Sequence, residues 1–479
     1  MSDRATAGFH DGGFSRTLAN LRSAWREIAL SARGVLSGAP RPDLPEDDVA
    51  RLRQQMLNCL EGRGGEVTAR ARAAELGRSF LALNAAGRER FLRLLAEEFD
   101  TDHRIVDDCC ALVAAAADPP ARAAAERALR AALTPRRVTL LRQFNALPEG
   151  VKFLVDRRAE LLAAAGNDPA MRGLADDLRD LLANWFDIGF LELRRISWDS
   201  PASLLEKLIA YEAVHEIRGW TDLKNRLEAD RRCFAFFHPR MPDEPLIFVE
   251  VALVNGIADN IHALLDEAAP IGNPQAADTA IFYSISNCQK GLVGISFGDF
   301  LIKRVVDALA LELPRLKNFA TLSPLPGFRA WLKAETERSG LLLGGEGRSV
   351  RTLANGLDDD NADRLLLTLL DSAGWAVDTR TAAVLREPLL RLSARYLLQA
   401  RAPSGRALDP VAHFHLSNGA RVERLDWLGD VSPKGLQQSA GIMVNYLYRL
   451  DHIEANHEAY RDEGRVIASS AVRSLIRAP

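Results

Sequence analysis

The sequence lacks long apolar runs, paired cysteine motifs and an excess of either charge. No apolar run approaches the ~20 residues that a membrane-spanning helix requires, and we therefore predict no membrane partner. The net charge of −3 gives no electrostatic reason to expect a nucleic-acid partner. The five cysteines are odd in number and form no C-x-x-C pair, so neither a disulfide framework nor structural zinc is expected.

We expect no targeting segment, since the Arg and Ser residues near the N-terminus are only a weak indication of a transit peptide, which Asp3 and Asp11 oppose. The N-terminal residues lack the basic stretch and apolar core of a secretory signal, and the C-terminal residues do not form a peroxisomal tripeptide. We therefore predict a cytoplasmic protein with reduced thiols. Of the cysteines, only Cys288 precedes a candidate site closely enough to be considered as a reactive thiol.

The chain does contain two halves of different texture. Its 479 residues are 47% hydrophobic and 26% charged, as expected for a globular protein of more than one domain. Residues 1–195 are rich in Ala, Leu, Arg and Glu, and their helical spacing, as over residues 80–99, predicts an all-α bundle of about seven or eight helices. Thr134-Pro135 and Asp118-Pro119 are predicted helix starts, each a cap residue followed by proline. Residues 196–479 alternate strand-like and helix-like segments, which predicts an α/β domain. The predicted fold class is therefore α+β in two domains.

Residues 280–327 are the most informative segment. An apolar, aromatic and β-branched run is followed by a glycine-bearing loop, a strongly periodic helix and a second short run that ends at Ser-Pro-Leu-Pro-Gly. Strand, glycine loop and helix N-terminus are the usual elements of an anion site built from backbone amides. We therefore predict that a phosphate cradle and the hydroxyl of Ser323 share one cleft.

The candidate phosphate loop is followed by a periodic helix and consists of Val293, Gly294, Ile295, Ser296, Phe297, Gly298 and Asp299. In the functional interpretation, successive N–H groups of this loop bind a pyrophosphate and the helix dipole adds attraction. In the structural interpretation, the glycines serve only the turn between strand and helix. The spacing is not G-x-G-x-x-G and no Walker lysine follows, so neither a Rossmann site nor a P-loop is predicted.

Two further segments carry candidate catalytic side chains. Ser323 precedes a proline that holds it extended and presents its hydroxyl at a bend; the alternative is an ordinary loop serine or a helix cap. His413 and His415 would face the same side if both lie on one strand. Because no further ligands accompany them, we predict no metal site.

Residues 436–450 carry apolar residues at helical spacing and predict an amphipathic core helix. Its polar aromatic and amide side chains are Asn445, Tyr446 and Tyr448. Packing in the core is one interpretation, and lining a cleft is the other, with Tyr448 and Asn445 as the candidates.

Taken together, these segments resemble the malonyl-CoA decarboxylase family. The resemblance rests on FHPRMPDEPLIFVEVALV, AIFYSISNCQKGLVGISFGDFLIKRVV, LSPLPGF, DPVAHFHLSNGA, DWLGDVSPKG and GIMVNYLY, which occur in this order. It covers residues 200–460 closely, and the helical half fits in length and character.

The resemblance implies a helical domain over residues 1–195, for oligomerisation or support, and a GNAT-like α/β catalytic domain over residues 196–479. It implies that the loop from Val293 to Asp299 grips coenzyme A, although Val293 and Ser296 depart from the usual acetyltransferase pattern. It also implies a catalytic serine at Ser323, a catalytic histidine at His415, and a homotetramer built as a dimer of dimers.

The implied reaction is the decarboxylation of malonyl-CoA to acetyl-CoA and CO2. The thioester carbonyl accepts the electrons of the breaking bond, so no metal or organic cofactor is expected beyond the coenzyme A of the substrate. In this scheme Ser323 positions the malonyl carboxylate and His415 protonates the α-carbon. The alternatives are a GNAT-fold acyltransferase that acts on an amine, and a non-catalytic acyl-CoA-binding protein.

Overall fold

The structure is a computed structural model that describes residues 21–30, 40–61, 65–186, 188–295, 301–338, 340–354 and 359–476. The chain divides into two compact units. The first contains Met1–Glu192, Phe237–Leu246 and Asn287–Phe297, and the second contains Leu193–Phe236, Ile247–Ser286 and Gly298–Pro479.

The helices, numbered along the chain, are α1 (21–30), α2 (Glu46–Leu60), α3 (Glu66–Leu81), α4 (Ala85–Glu98), α5 (His103–Ala115), α6 (Pro119–Ala132), α7 (Arg136–Arg142), α8 (Gly150–Ala164), α9 (Pro169–Trp185), α10 (Ala202–Tyr211), α11 (Trp220–Asn225), α12 (Ile261–Leu264), α13 (Leu301–Glu312), α14 (Phe328–Thr336), α15 (Gly344–Leu353), α16 (Ala362–Asp371), α17 (Thr379–Gln399), α18 (Pro410–Ser417), α19 (Pro433–Ser439), α20 (Ile453–Glu463) and α21 (Ser470–Leu475). The strands are β1 (Glu192–Ile196), β2 (Arg231–Phe237), β3 (Ile247–Val254), β4 (Thr279–Asn287), β5 (Asn318–Thr321), β6 (Ser323–Pro324), β7 (Arg421–Asp426) and β8 (Met443–Tyr448).

The N-terminal region is helical, as predicted, and its described residues contain nine α-helices, α1 to α9. The predicted stripe over residues 80–99 is divided between α3 and α4, because the Asn84 side chain accepts the Gly87 N–H and starts a new helix. Asp118 caps α6 with proline at its first position, as predicted. The predicted cap at Thr134 is wrong, because Pro135 itself is the N-cap of α7 and no side chain caps that helix. The core of this region is aromatic: the Phe153 ring lies 5.0 Å from Trp25 and 5.7 Å from Phe80.

The second unit is built on a mixed sheet of eight strands. The strand order is β1-β2-β3-β4-β5-β8-β6, and β7 also pairs with β8. β4 and β5 are parallel, whereas β8 is antiparallel to β5, β6 and β7. Along the chain, helices of the same unit lie between and after these strands. The chain therefore has the predicted α+β class, with a helical N-terminal region followed by an α/β region.

The two faces of the central strands differ in chemistry. One face packs into an apolar cluster that includes Ile281, Tyr283, Ala320 and Met443. Because side chains alternate along a strand, the neighbours of these residues point to the opposite face. That face carries Phe282, Thr321, Ser323, Tyr446 and Tyr448 and is the polar side of the sheet.

The prediction of one helix over residues 436–450 is wrong. The segment contains the short helix α19, a turn at Ala440 and Gly441 with φ of 51° and 76°, and strand β8. Every residue of β8 is buried, so the strand shows no alternation of polar and apolar residues in its sequence. A strand buried on both faces cannot be distinguished by periodicity from a buried helix segment.

Other segments differ from the predictions at their ends or in type. His413 and His415 lie on helix α18, not on a strand. Asp409 at the N-cap and Pro410 at the first helical position are the sequence features that start this helix.

Candidate active site

Ser323 lies at a break in the sheet of the second unit. The backbone N–H of Leu322 donates to Phe282 O of β4 at 3.0 Å, and Ser323 then pairs with Val444 of β8. The Leu325 N–H donates to the Ser439 hydroxyl at 3.3 Å. Ser323 is 6% exposed, so its hydroxyl is fixed within the protein interior at a strand end.

His415 reaches this serine from helix α18. The Asp409 carboxylate caps the helix by accepting the N–H groups of Val411 and Ala412, both at 2.9 Å. The second Asp409 oxygen accepts the Tyr396 hydroxyl at 3.2 Å. The His415 Nε2 atom lies 3.1 Å from Ser323 Oγ, although the two residues are separated by 92 positions in the sequence.

A directed chain of hydrogen bonds runs through the pair. Ser323 Oγ donates to Thr321 Oγ1 at 2.9 Å, and Thr321 Oγ1 donates to Val444 O at 3.5 Å. Because the single serine hydrogen is used toward Thr321, we assign the hydrogen between His415 and Ser323 to Nε2. His415 Nδ1 then accepts from the Tyr448 hydroxyl, which lies 2.8 Å away.

Burial determines the charge state of this histidine. His415 is 2% exposed, and desolvation lowers the pKa of its imidazole from 6.5 to about 3. The Tyr446 ring stacks on the imidazole at 4.6 Å between centroids with planes 25° apart. Burial likewise holds the pKa of the Tyr448 phenol well above its ordinary value. The pair is therefore a neutral imidazole and a neutral alcohol at physiological pH.

This arrangement can donate protons more readily than it can remove one from the serine. A serine nucleophile requires a histidine nitrogen that accepts the hydroxyl proton, whereas the assigned Nε2 already carries hydrogen. Nε2–H and Ser323 O–H are instead two neighbouring donors. Such donors are suited to hold a carboxylate or to stabilise charge that develops on a carbonyl oxygen.

The predicted phosphate loop is described only in part. Val293, Gly294 and Ile295 belong to the first unit, and the segment from Ser296 to Asp299 lies outside the described residues. Arg158 of α8 donates to the carbonyl oxygens of Gly291 and Val293 at 2.7 and 2.8 Å. The Val293 and Ile295 N–H groups donate to carbonyl oxygens of Lys290 and Leu292 within the same loop. Phosphate binding by this loop stays a prediction.

The two candidate cleft residues of β8 lie on opposite faces. Tyr448 contacts His415, whereas the Asn445 amide donates to Ala258 O at 3.0 Å and Thr321 O at 2.8 Å. The structure therefore brings Tyr448, but not Asn445, to the Ser323–His415 pair.

Sequence reasoning named Tyr448 as a candidate cleft residue but not as a partner of His415, and it did not name Thr321 or Asp409 as partners. Thr321 precedes Ser323 by two positions, so strand alternation would have placed both hydroxyls on one face. The incorrect helix prediction for residues 436–450 gave no reason to place Tyr448 beside His415. No short-range pattern connects Tyr448 or Asp409 to His415, because these contacts depend on the strand order.

The remaining features to consider in the described ranges are a metal site, the thiol of Cys288 and a membrane-spanning helix. In these ranges, no group of three or more His, Cys, Asp or Glu side chains could hold a metal ion; the absence of a metal stays a prediction. Cys288 is a buried cysteine of the first unit and forms no disulfide bond with the other described cysteines. None of the described helices has both the length and the apolarity needed to cross a bilayer.

The chain is similar to known proteins in both sequence and structure. A family model of the malonyl-CoA decarboxylase C-terminal domain matches residues 189–479, and one of the N-terminal domain matches residues 99–186. Mitochondrial malonyl-CoA decarboxylase of Anser anser anser is 38% identical over 85% of this chain and 84% of its own length. The Rattus norvegicus enzyme is 39% identical over 82% of each chain. The crystal structure of malonyl-CoA decarboxylase from Rhodopseudomonas palustris matches 89% of this chain and 99% of its own, with 44% identity and a TM-score of 0.81.

Proposed function

The chain belongs to the malonyl-CoA decarboxylase family, and from this premise we propose that it converts malonyl-CoA to acetyl-CoA and CO2. The observation that carries the proposal for the site is the buried contact of 3.1 Å between His415 Nε2 and Ser323 Oγ. The pair provides two neutral donors in a water-poor site, next to the ends of the parallel strands β4 and β5.

In the proposed first step, the Ser323 hydroxyl turns from Thr321 to the malonyl carboxylate and holds it out of the plane of the thioester carbonyl. The bond between the α-carbon and the carboxyl carbon then breaks. Its electron pair moves into the thioester, which becomes an enolate, and CO2 leaves. The thioester carbonyl is the electron sink, so the step needs no cofactor beyond the coenzyme A of the substrate.

In the proposed second step, His415 delivers the proton of Nε2 to the α-carbon. A positioned general acid is typically worth about 10²–10⁴ in rate. As Nε2 loses its proton, Nδ1 accepts the proton of the Tyr448 hydroxyl, which lies 2.8 Å away. The imidazole is thus neutral before and after the transfer, and solvent returns the proton to the phenolate.

The test is release of CO2 and formation of acetyl-CoA from malonyl-CoA by the purified chain. We expect His415→Ala to abolish turnover and to retain coenzyme A binding, and Ser323→Ala to lower turnover more than affinity. His413→Ala is the matched control, since His413 lies on the same helix but its Nδ1 contacts the Tyr460 hydroxyl at 2.8 Å. Near-normal turnover of His415→Ala would refute the assignment, and acyl transfer to amines without CO2 release would favour the acyltransferase alternative.

We also propose a GNAT-like topology for the sheet region and retain residues 1–195 and 196–479 as the domain division. The parallel pair β4–β5 beside the antiparallel strand β8 supports this topology. In the same proposal, coenzyme A is gripped by the loop from Val293 to Asp299. A crystal structure with coenzyme A bound would test both points.

For the assembly we propose a homotetramer built as a dimer of dimers. The support comes from the hairpin of α5 and α6 in the first unit. α6 buries none of its residues and α5 buries only Cys109. Ile105, Leu112 and Leu133 are 52%, 58% and 53% exposed. An apolar surface of this kind is typical of a contact between subunits.

A cytoplasmic location also stays our proposal. This proposal rests on the expectation drawn from the sequence above. The curated relatives described above are mitochondrial, so imaging of a tagged full-length chain in its own cell is the decisive observation.

A further inference from the structure

A second polar cluster lies on the same face of the sheet as the Ser323–His415 pair. Among the described residues, the ladder between the parallel strands β4 and β5 ends where Phe282 lies opposite Thr321. Ser284 is two positions beyond Phe282, and Ser323 is two positions beyond Thr321, so both serines point to one face. The Phe282 ring, 6.3 Å from that of Tyr448, identifies this as the face of the pair.

No pairing between the two strands is described beyond this point. Ser323 lies in β6, opposite Val444 of β8, whereas Ser284 continues along β4. In open sheets, ligands bind at the carboxyl ends of parallel strands where the strand order switches. The Ser323–His415 pair and the Ser284 cluster are therefore the two sides of the gap at the ends of β4 and β5.

Glu212, which follows α10, is the centre of the second cluster. Both of its carboxylate oxygens lie 2.8 Å from Ser284 Oγ, and one lies 3.2 Å from Ser286 Oγ. The same carboxylate accepts the N–H groups of Val214 and His215, both at 2.8 Å. Four donors thus converge on one acidic side chain, as expected for an ionised carboxylate that acts only as acceptor.

The consequence for Ser284 is a fixed hydroxyl direction. Ser284 and Ser286 are each 1% exposed, and a serine has one hydrogen to donate. Because the Ser284 hydrogen is directed to Glu212, the remaining lone pairs are all that Ser284 can present to the gap. One side of the gap therefore carries acceptors and a negative charge, and the other carries the donors Nε2–H of His415 and O–H of Ser323.

We propose that Glu212 is a positioning residue that keeps the Ser284 hydroxyl turned away from the substrate. A malonyl carboxylate is then repelled from the β4 side and directed to the donors Ser323 and His415. This inference rests on the proposed decarboxylase function. In this role Glu212 favours the productive orientation of the malonyl carboxylate over the unproductive one. Glu212 itself does not contact the reacting carbon.

The variant Glu212→Gln tests this role. One amide oxygen cannot serve four donors, so the Ser284 hydroxyl becomes free to hold the carboxylate in the wrong orientation. Unproductive binding lowers kcat and KM by the same factor, and we expect both to fall about fivefold or more while kcat/KM stays within about twofold. Inhibition by acetyl-CoA, which has no carboxylate, should stay unchanged.

The double variant Glu212→Gln/Ser284→Ala removes the freed hydroxyl and should restore kcat and KM toward the wild-type values. Glu212→Gln/Ser286→Ala is the matched control and should not restore them. A fall in kcat/KM equal to the fall in kcat, or no recovery in the Ser284 double variant, would overturn the proposal. A merely supporting role for Glu212 would produce that first pattern.

If Glu212→Gln does not fold, Glu212→Asp replaces it. The shorter side chain cannot reach both serines, so the same parallel fall in kcat and KM is expected, and a fall in kcat/KM would again count against the proposal. Wild-type protein that releases no CO2 from malonyl-CoA would overturn the proposed function itself. Active wild-type protein with the wrong pattern in the variants would overturn only the role of Glu212.

Discussion

Tyr448 and Tyr446 provide a matched test of the hydrogen-bond chain at His415. Both tyrosines lie on β8, point to the same face and are buried. The Tyr448 hydroxyl lies 2.8 Å from His415 Nδ1. The Tyr446 ring stacks on the same imidazole, but among the described residues its hydroxyl has no hydrogen-bond partner. Replacing each by phenylalanine removes one oxygen atom from the same environment with opposite expected results.

Tyr448→Phe leaves Nδ1 of His415 buried and without a partner. An orphaned buried group costs about 1–3 kcal/mol, and we expect the free energy of unfolding to fall by this amount. The imidazole is then free to carry its hydrogen on Nδ1, in which case Nε2 accepts from Ser323 and no acid faces the substrate. Loss of a positioned acid predicts a decrease in kcat of about 10²-fold or more.

Tyr446→Phe removes a hydroxyl that is already unsatisfied. Because burying an unpaired hydroxyl costs about 1–3 kcal/mol, this variant should be as stable as the wild type or more stable, and its kcat should be unchanged. Urea unfolding and CO2 release measured on both variants decide the question. Equal losses of activity in the two variants, or normal turnover in Tyr448→Phe, would refute the assigned direction of the hydrogen bonds at His415.

Four further predictions concern burial and packing. The pKa of His415 is lowered to about 3, so kcat/KM should show no histidine ionisation near pH 6.5, and a step there in the pH–rate profile would contradict the assignment. The unfolded chain binds this proton below about pH 6.5 but the folded chain does not, so His415 should reduce stability by about 2 kcal/mol between pH 7 and 5, measured by urea unfolding. Gly327→Ala places a Cβ 2.3 Å from the Tyr396 hydroxyl and should lower activity and melting temperature, whereas Gly347→Ala, with its nearest atom at 3.4 Å, should lower neither. Leu112→Asp on α5 should reduce the oligomer mass measured by light scattering, and an unchanged mass would argue against the hairpin as a subunit contact.

Sequence patterns predicted the elements whose burial differs between faces or whose ends are marked. The acidic cap and proline at Asp118-Pro119 predicted the start of α6, and the β-branched run from residue 280 predicted β4. In both cases the physical cause is local, because a cap or a strand propensity acts over a few residues. The α+β class followed from the same local signals.

The elements that position the site were harder to predict, because they depend on contacts between residues that are far apart in the sequence. β8 is buried throughout, so its sequence carries no period that separates strand from helix. With that strand assigned as a helix, Tyr448 could not be connected to His415. Glu212 lies 72 positions from Ser284, and only the strand order shows that they meet. Ser323 and His415 were candidates from their local sequence, but their catalytic roles came from the family resemblance rather than from any pattern of spacing.

The direction of the hydrogen bonds from Tyr448 through His415 to Ser323 determines, together with burial, which kind of reaction the pair can catalyse. In a hydrolase pair the imidazole must accept the serine proton, so its nitrogen toward the serine must be free of hydrogen. Here Tyr448 donates to Nδ1 and fixes the hydrogen on Nε2, which leaves the serine without a base. Burial keeps the imidazole neutral, and a neutral imidazole is a weak acid. An enolate carbon is a much stronger base than a phenolate or an imidazole, so even this weak acid can protonate it, whereas an amine leaving group or a water nucleophile would gain nothing from the same donor. The geometry therefore favours carbanion protonation over acyl transfer, and a Tyr448→Phe variant that gained thioester hydrolysis while losing decarboxylation would be the most direct evidence for this argument.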